Sequence, residues 1–154
     1  MSAVTVLGAG GWGTALAVHL ARIGHDVRLW ARSQAFADDL NRRRANAIYL
    51  PGILLPDRVI VTSALDDALA DVSLVLSAIP SHGCRQVMRG VRPHLVRRAV
   101  IISATKGLEV DTHLRMSEVI AQEVGPSHPV VVLSGPSFAI EVAQELPTAV
   151  LAAS

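Results

Sequence analysis

Ser2-Ala3-Val4-Thr5-Val6-Leu7-Gly8-Ala9-Gly10-Gly11-Trp12-Gly13-Thr14-Ala15-Leu16-Ala17-Val18-His19-Leu20-Ala21-Arg22 is the stretch that decides the fold. Its first six residues read as a short apolar strand, and Thr14 to Arg22 have helical spacing. Between them lies a GxGxxG turn. Strand, glycine turn and helix in this order aim helix N-terminal N–H groups at a pyrophosphate. Gly8 permits the tight turn, Gly10 lets backbone approach the phosphates, and Gly13 lets the helix lie close on the strand. Without the flanking strand and helix, the same glycines would be no more than a tight turn.

Outward from this unit, strand and helix alternate, which predicts an α/β, Rossmann-like, doubly wound and mainly parallel sheet with helices on both faces. Gly24 stops the first helix, 27–31 is the second strand, and Ser33 caps a helix running through Arg44. A long loop, 45–56, holds Tyr49-Leu50-Pro51-Gly52. Strands follow at 59–61, 74–77, 99–103 and 130–133, with helices at 64–70, 81–88 and 114–124. Ser134-Gly135-Pro136-Ser137 is expected to open a further helix with Pro136 in its first turn. The last residues, 147–154, read as a strand with no cap or polar fade-out, the pattern of a domain continuing into a longer protein.

Composition narrows the function classes. A chain of 154 residues is about one domain and buries roughly two-thirds of its unfolded surface. A net charge of +1 argues against a nucleic-acid partner. The single cysteine, Cys84, permits no internal disulfide and fits a reducing cytoplasm; it reads as a small half-buried thiol rather than a nucleophile. The N-terminus lacks a basic n-region and no apolar run reaches the ~18 residues of a membrane span, so a soluble cytoplasmic protein is expected. The six histidines lack metal-ligand spacing, and His82 alone falls near the expected ligand edge.

The candidates for chemistry stand at strand ends. Of 14 basic side chains all but Lys106 are arginine. Lys106 follows the 99–103 strand, on the edge where open α/β sheets bind ligands, and its ammonium is a compact charge suited to a carbonyl oxygen. A solvated loop lysine is the plain alternative. The second strand ends Leu29-Trp30-Ala31-Arg32-Ser33, without the acid that grips a ribose 2′-hydroxyl. Arg32 is therefore positioned to pair with a 2′-phosphate, favouring NADP(H), or to stack on adenine, unless it is simply an exposed charge at a helix start. Asp38 and Asp39 come too late for the ribose and belong on the outer face of the helix. The 134–137 turn would either receive an anion or substrate hydroxyl, or merely cap its helix.

Three segments together resemble one family: Gly8–Ala17, Ser103-Ala104-Thr105-Lys106-Gly107-Leu108-Glu109 and Ser134-Gly135-Pro136-Ser137-Phe138-Ala139-Ile140-Glu141 are similar to the bacterial NAD(P)-dependent sn-glycerol-3-phosphate dehydrogenases. Trp30-Ala31-Arg32 and Tyr49-Leu50-Pro51-Gly52 resemble that family's intervening motifs. The resemblance implies hydride transfer between NADP or NAD and C2 of glycerol 3-phosphate or dihydroxyacetone phosphate, serving glycerophospholipid synthesis in the cytoplasm. It implies that Gly11, Trp12, Arg32, Tyr49 and Ala139 line the cofactor alongside Gly8, Gly10 and Gly13. Lys106 would touch cofactor and substrate, while Gly135 and Ser137 would contact substrate.

The resemblance also implies that residues 1–154 are an N-terminal NAD(P)-binding domain. The family's helical C-terminal substrate domain, which supplies the proton-accepting lysine, has no counterpart in this chain. The chain alone is expected to bind dinucleotide with little turnover and to self-associate through apolar surface left for that domain. Two alternatives stand beside this reading: a two-domain reductase of ketopantoate or 3-hydroxyacid type, and a non-catalytic dinucleotide-sensing module.

Overall fold

A computed structural model describes residues 3–154; Ser2, where the expected first strand begins, lies outside the described residues. Strand and helix alternate as β1 (Ala3–Leu7), α1 (Gly11–Arg22), β2 (Asp26–Trp30), α2 (Gln34–Arg43), β3 (Val59–Thr62), α3 (Leu65–Leu69) and β4 (Leu74–Ser77). Then follow α4 (Ser81–Val91), β5 (Val100–Ser103), α5 (Met116–Val124), β6 (Val130–Ser134), α6 (Ala139–Ala143) and β7 (Leu151–Ala153). The described residues build one seven-stranded sheet in the order β3-β2-β1-β4-β5-β6-β7. Every pairing is parallel except that of β7, which runs antiparallel on β6.

The alternation of β1 explains why the sheet needs helices on both faces. Val4 and Val6 pack with Leu16 and Val18 of α1 and with Leu40 of α2. Leu7 faces the opposite way, into the cluster that holds Met88 of α4 and Ile120 of α5. Thr5, the one polar residue of this buried run, donates its hydroxyl to the carbonyl of Ala68. A parallel strand covered on both sides must be apolar throughout or satisfy its polar groups internally, and β1, apolar apart from Thr5, does the latter there. Helix α1 ends in a Schellman motif, with Gly24 N–H donating to Ala21 O at 3.1 Å and His25 N–H to Leu20 O at 3.0 Å. Among the described residues no helix is long and apolar enough to cross a membrane.

Several expected boundaries moved. Arg44 does not extend α2 but caps it in the left-handed region (φ 52°), and its guanidinium binds the carbonyls of Val59 and Leu55 at 2.9 and 3.3 Å and that of Pro56. Helix α4 continues to Val91, beyond the expected stop at Met88. Pro136 does not open a helix: Ser134 still pairs with Leu151 in the sheet, and α6 starts only at Ala139. Ser137 accordingly donates back to Gly135 O at 3.4 Å instead of capping a following turn. The expected terminal strand shortens to 151–153, where its register on β6 is set. Cys84 is not half-buried but wholly enclosed, and burial pushes its thiol up to about 11, which removes it as a nucleophile.

Of the glycines, Gly13 leaves the least room for a side chain. A Cβ on Gly13 would stand 1.8 Å from the carbonyl oxygen of Gly8, so α1 rests directly on the turn leaving β1. Gly13→Ala is therefore expected to cost about 3 kcal/mol or more through overpacking against backbone, measured by urea denaturation of the two proteins.

Candidate functional site

Successive strands are added in one direction from β1 to β3 and in the other from β4 onward, and a cleft opens at this switch between β1 and β4, at the carboxyl ends of the strands. It encloses about 1010 Å³. Nine of the residues singled out from sequence line it: Gly8, Gly10, Gly11, Trp12, Arg32, Tyr49, Lys106, Ser137 and Ala139. Gly13 and Gly135 do not. Gly13 lies beneath the turn, and a Cβ on Gly135 would stand 2.5 Å from Ala149 O, so both positions are occupied by backbone packing.

The glycine turn divides into packed positions and an open one. Gly8 has φ +106°, and a Cβ there would meet Ala78 O at 2.8 Å. A Cβ on Gly11 would meet Tyr49 O at 2.7 Å. Around Gly10 an added Cβ meets no protein atom within 4 Å. No protein packing demands glycine at that point; it leaves room above the N-terminus of α1 for another group. Gly10 is also the N-cap of α1, no side chain caps the helix, and the first turn holds no acid. An uncapped N-terminus, with N–H groups and the positive dipole end facing a cleft, suits a phosphate-bearing ligand. Size, location and cradle all fit a dinucleotide.

The cleft walls present a small set of polar groups. Arg32 is exposed at the end of β2 and makes no hydrogen bond or ion pair with another described residue. Tyr49 stands on the lip with its ring edge-on to Phe36, centroids 5.8 Å apart. Lys106 Nζ lies 3.4 Å from the Ser137 carbonyl and 5.8 Å from the centroid of the Trp12 ring. Trp12 is itself anchored, its Nε1–H donating to Ala104 O at 3.2 Å. Trp30 also lines the cleft but is buried, with Nε1–H donating to Ser63 O at 2.9 Å. His82 lies on the wall formed by α4 and is exposed. Asp38 and Asp39 sit on α2, Asp39 paired with Arg42 and Arg43, away from the cleft lining.

Two features escaped the sequence reading. Asn46, fully buried, holds the loop before β3 against the glycine turn. Its signal was weak: an Asn inside a long loop often bonds nearby backbone, but nothing in sequence names the distant partner. The other is an ion-pair network behind Lys106. Arg85 on α4 grips Glu109 through two bonds of 2.7 and 2.8 Å and reaches Glu123 on α5 at 2.7 Å. Glu123 also accepts from Arg89 at 3.1 Å. This ties the segment after Lys106 to two helices, while Thr105 Oγ1 bonds Ser77 O at 3.2 Å on the other side.

A switch-point cleft over an uncapped glycine-rich helix end defines a dinucleotide-binding domain of the doubly wound class. The chain belongs to the NAD-dependent glycerol-3-phosphate dehydrogenase N-terminal family, whose signature matches residues 3–154. A glycerol-3-phosphate dehydrogenase (NAD(P)+) from Koribacter versatilis is 49% identical over 100% of this chain and 47% of its own length. One from Corynebacterium kroppenstedtii is 47% identical over 99% of this chain and 46% of its own length. The crystal structure of glycerol-3-phosphate dehydrogenase from Coxiella burnetii superposes with a TM-score of 0.91 at 38% identity, over 97% of this chain and 45% of that one. The chain thus spans about half the length of the curated relatives it matches.

The network behind Lys106 makes a pH-dependent prediction. Hydrogen bonds from Arg85, then from Thr112, hold the Glu109 carboxyl at about 2, below its usual 4.5. A depressed carboxylate stabilises the fold fully above the unfolded value and loses that contribution as pH falls through the folded one. The stability gap between the wild type and Glu109→Gln is therefore expected to be widest above pH 4.5 and to close towards about 2, read from urea midpoints across that range.

Proposed function

We propose that this chain is the cofactor-binding half of an oxidoreductase that interconverts sn-glycerol 3-phosphate and dihydroxyacetone phosphate, supplying glycerol phosphate for phospholipid synthesis in the cytoplasm. The observation that carries the reading is the placement of the only lysine. Its ammonium stands beside the Trp12 ring and the Ser137 carbonyl, on the rim of a cleft whose floor is the uncapped N-terminus of α1. The family and the named relatives supply the substrate.

In this reading the first turn of α1, from Gly10 to Trp12, holds the pyrophosphate, and Gly8 and Gly13 keep that turn in place. Arg32 receives the adenosine end, through a 2′-phosphate when the ligand is NADP(H), and Tyr49 and Ala139 close the sides. When bound, the nicotinamide supplies or accepts the hydride. Lys106 holds the oxygen on C2 of the substrate and stabilises negative charge that develops there. Gly135 and Ser137 shape the substrate side, Gly135 by letting β6 turn tightly against Ala149 and Ser137 through the carbonyl that steadies Lys106. The proton-accepting group and the remaining substrate contacts are assigned to a second, helical domain outside this chain, and Phe138 stands exposed on the cleft wall.

The test is a titration of the purified chain with NADPH and NADH, followed through the fluorescence of Trp12 and Trp30. Saturable quenching by both is expected, with no measurable reduction of dihydroxyacetone phosphate. Arg32→Ala is expected to weaken NADPH about tenfold and NADH much less, since one charged contact to phosphate is lost. Gly10→Ala is expected to stay folded, within about 1 kcal/mol of the wild type, yet to bind neither. Quenching absent from a folded wild-type chain, or equal in the wild type and Gly10→Ala, would falsify the cleft as the dinucleotide site.

A further inference from the structure

The glycine turn does not stand alone at the cleft floor. The chain between α2 and β3 forms a strap, closed at its base by the bridge between Ala45 and Leu54 and by Leu55 N–H donating to Arg44 O at 2.8 Å. Asn46 lies inside that strap and is fully buried. Its amide nitrogen donates to Ala9 O at 3.0 Å and to Thr14 Oγ1 at 2.8 Å. Its side-chain oxygen accepts from Tyr49 N–H at 3.0 Å, and its backbone carbonyl accepts from Leu50 N–H at 2.9 Å. One side chain therefore joins the glycine turn, the first turn of α1 and the backbone of Tyr49.

The fit around it leaves little slack. Tyr49 O lies 2.7 Å from where a Cβ on Gly11 would fall, and Leu50 packs on Ala15 of α1. The spacing between the helix N-terminus and Tyr49, on two edges of the cleft, is thus held by this buried amide together with those two contacts.

We infer that Asn46 is a positioning residue for dinucleotide binding: it locks the Tyr49 strap to the phosphate-facing turn without itself lining the cleft. The inference rests on the dinucleotide reading of that cleft. Asn46 supplies donors to Ala9 and Thr14 and an acceptor to Tyr49 at once, so neither alanine nor aspartate replaces it. Aspartate keeps the acceptor but sets a carboxylate against the Ala9 carbonyl. Thr14→Val removes one of the three contacts with almost no change of shape.

The experiment is an NADPH titration of the wild-type chain, Asn46→Ala, Thr14→Val and Val119→Ala, each at a temperature where circular dichroism shows it folded. Val119 is buried in the cluster between α4 and α5, on the other face of the sheet, and serves as a control for destabilisation alone. Asn46→Ala is expected to raise Kd about tenfold, and Thr14→Val to raise it by a smaller factor. Val119→Ala is expected to lower Tm at unchanged Kd. Wild-type Kd in both Asn46→Ala and Thr14→Val overturns the inference, as does an equal loss of affinity in Val119→Ala. Should Asn46→Ala fail to fold, Thr14→Val decides alone. A wild-type chain that binds no NADPH sinks the reading of the cleft itself, an outcome distinct from one in which wild type and variants bind alike.

Discussion

The ligand edge of this molecule depends on one close approach, between the Cα of Gly13 and the carbonyl oxygen of Gly8. Because no side chain separates them, the first turn of α1 rests on the turn leaving β1 and comes up at the switch point between β1 and β4. Any side chain at position 13 would lift the helix, and the N-terminal dipole would no longer stand over the cleft. The apolar packing of α1 on Val4 and Val6 holds the helix down, while the missing Cβ decides how close it comes.

Around that contact the structure is braced from two sides. Asn46 ties the strap carrying Tyr49 to the glycine turn, and Arg85 ties the segment following Lys106 to α4 and α5. The two braces differ in kind. Asn46 is buried and neutral, where hydrogen bonds gain from the low local dielectric and an unmet donor is costly. The Arg85 network is a partly exposed set of charges, bidentate on Glu109, whose grip depends on pH. The brace beside the glycine turn thus contains no titrating group, whereas the one behind Lys106 does.

The sequence carried the outline well, for a physical reason. Strand β1, the glycine turn and α1 are specified by local pattern: alternation, missing side chains and helical spacing lie within some twenty residues, and the three follow in the expected order, although α1 begins at Gly11, inside the glycine turn, rather than at Thr14. Arg32, Tyr49 and Lys106 were legible as strand-end or loop residues, and the sheet order brought them together. What was not legible depends on partners far along the chain. Pro136 looks like a helix start until Leu151 pairs with Ser134 and keeps the strand going. Cys84 looks half-exposed until α5 closes over α4. Asn46 and Arg85 bond to residues tens of positions away, and no local spacing announces such contacts.

The arginine-rich surface has a practical consequence. Guanidinium groups do not react with amine-directed acylating reagents, so the chain offers a single side-chain amine, and it stands on the rim of the cleft. A reagent that would scatter over many lysines on an ordinary protein meets, here, one side chain besides the terminal α-amine. Its rate of attachment reports how open the rim is, and a spectroscopic tag placed there sits between the Trp12 ring and the Ser137 carbonyl without any engineered residue.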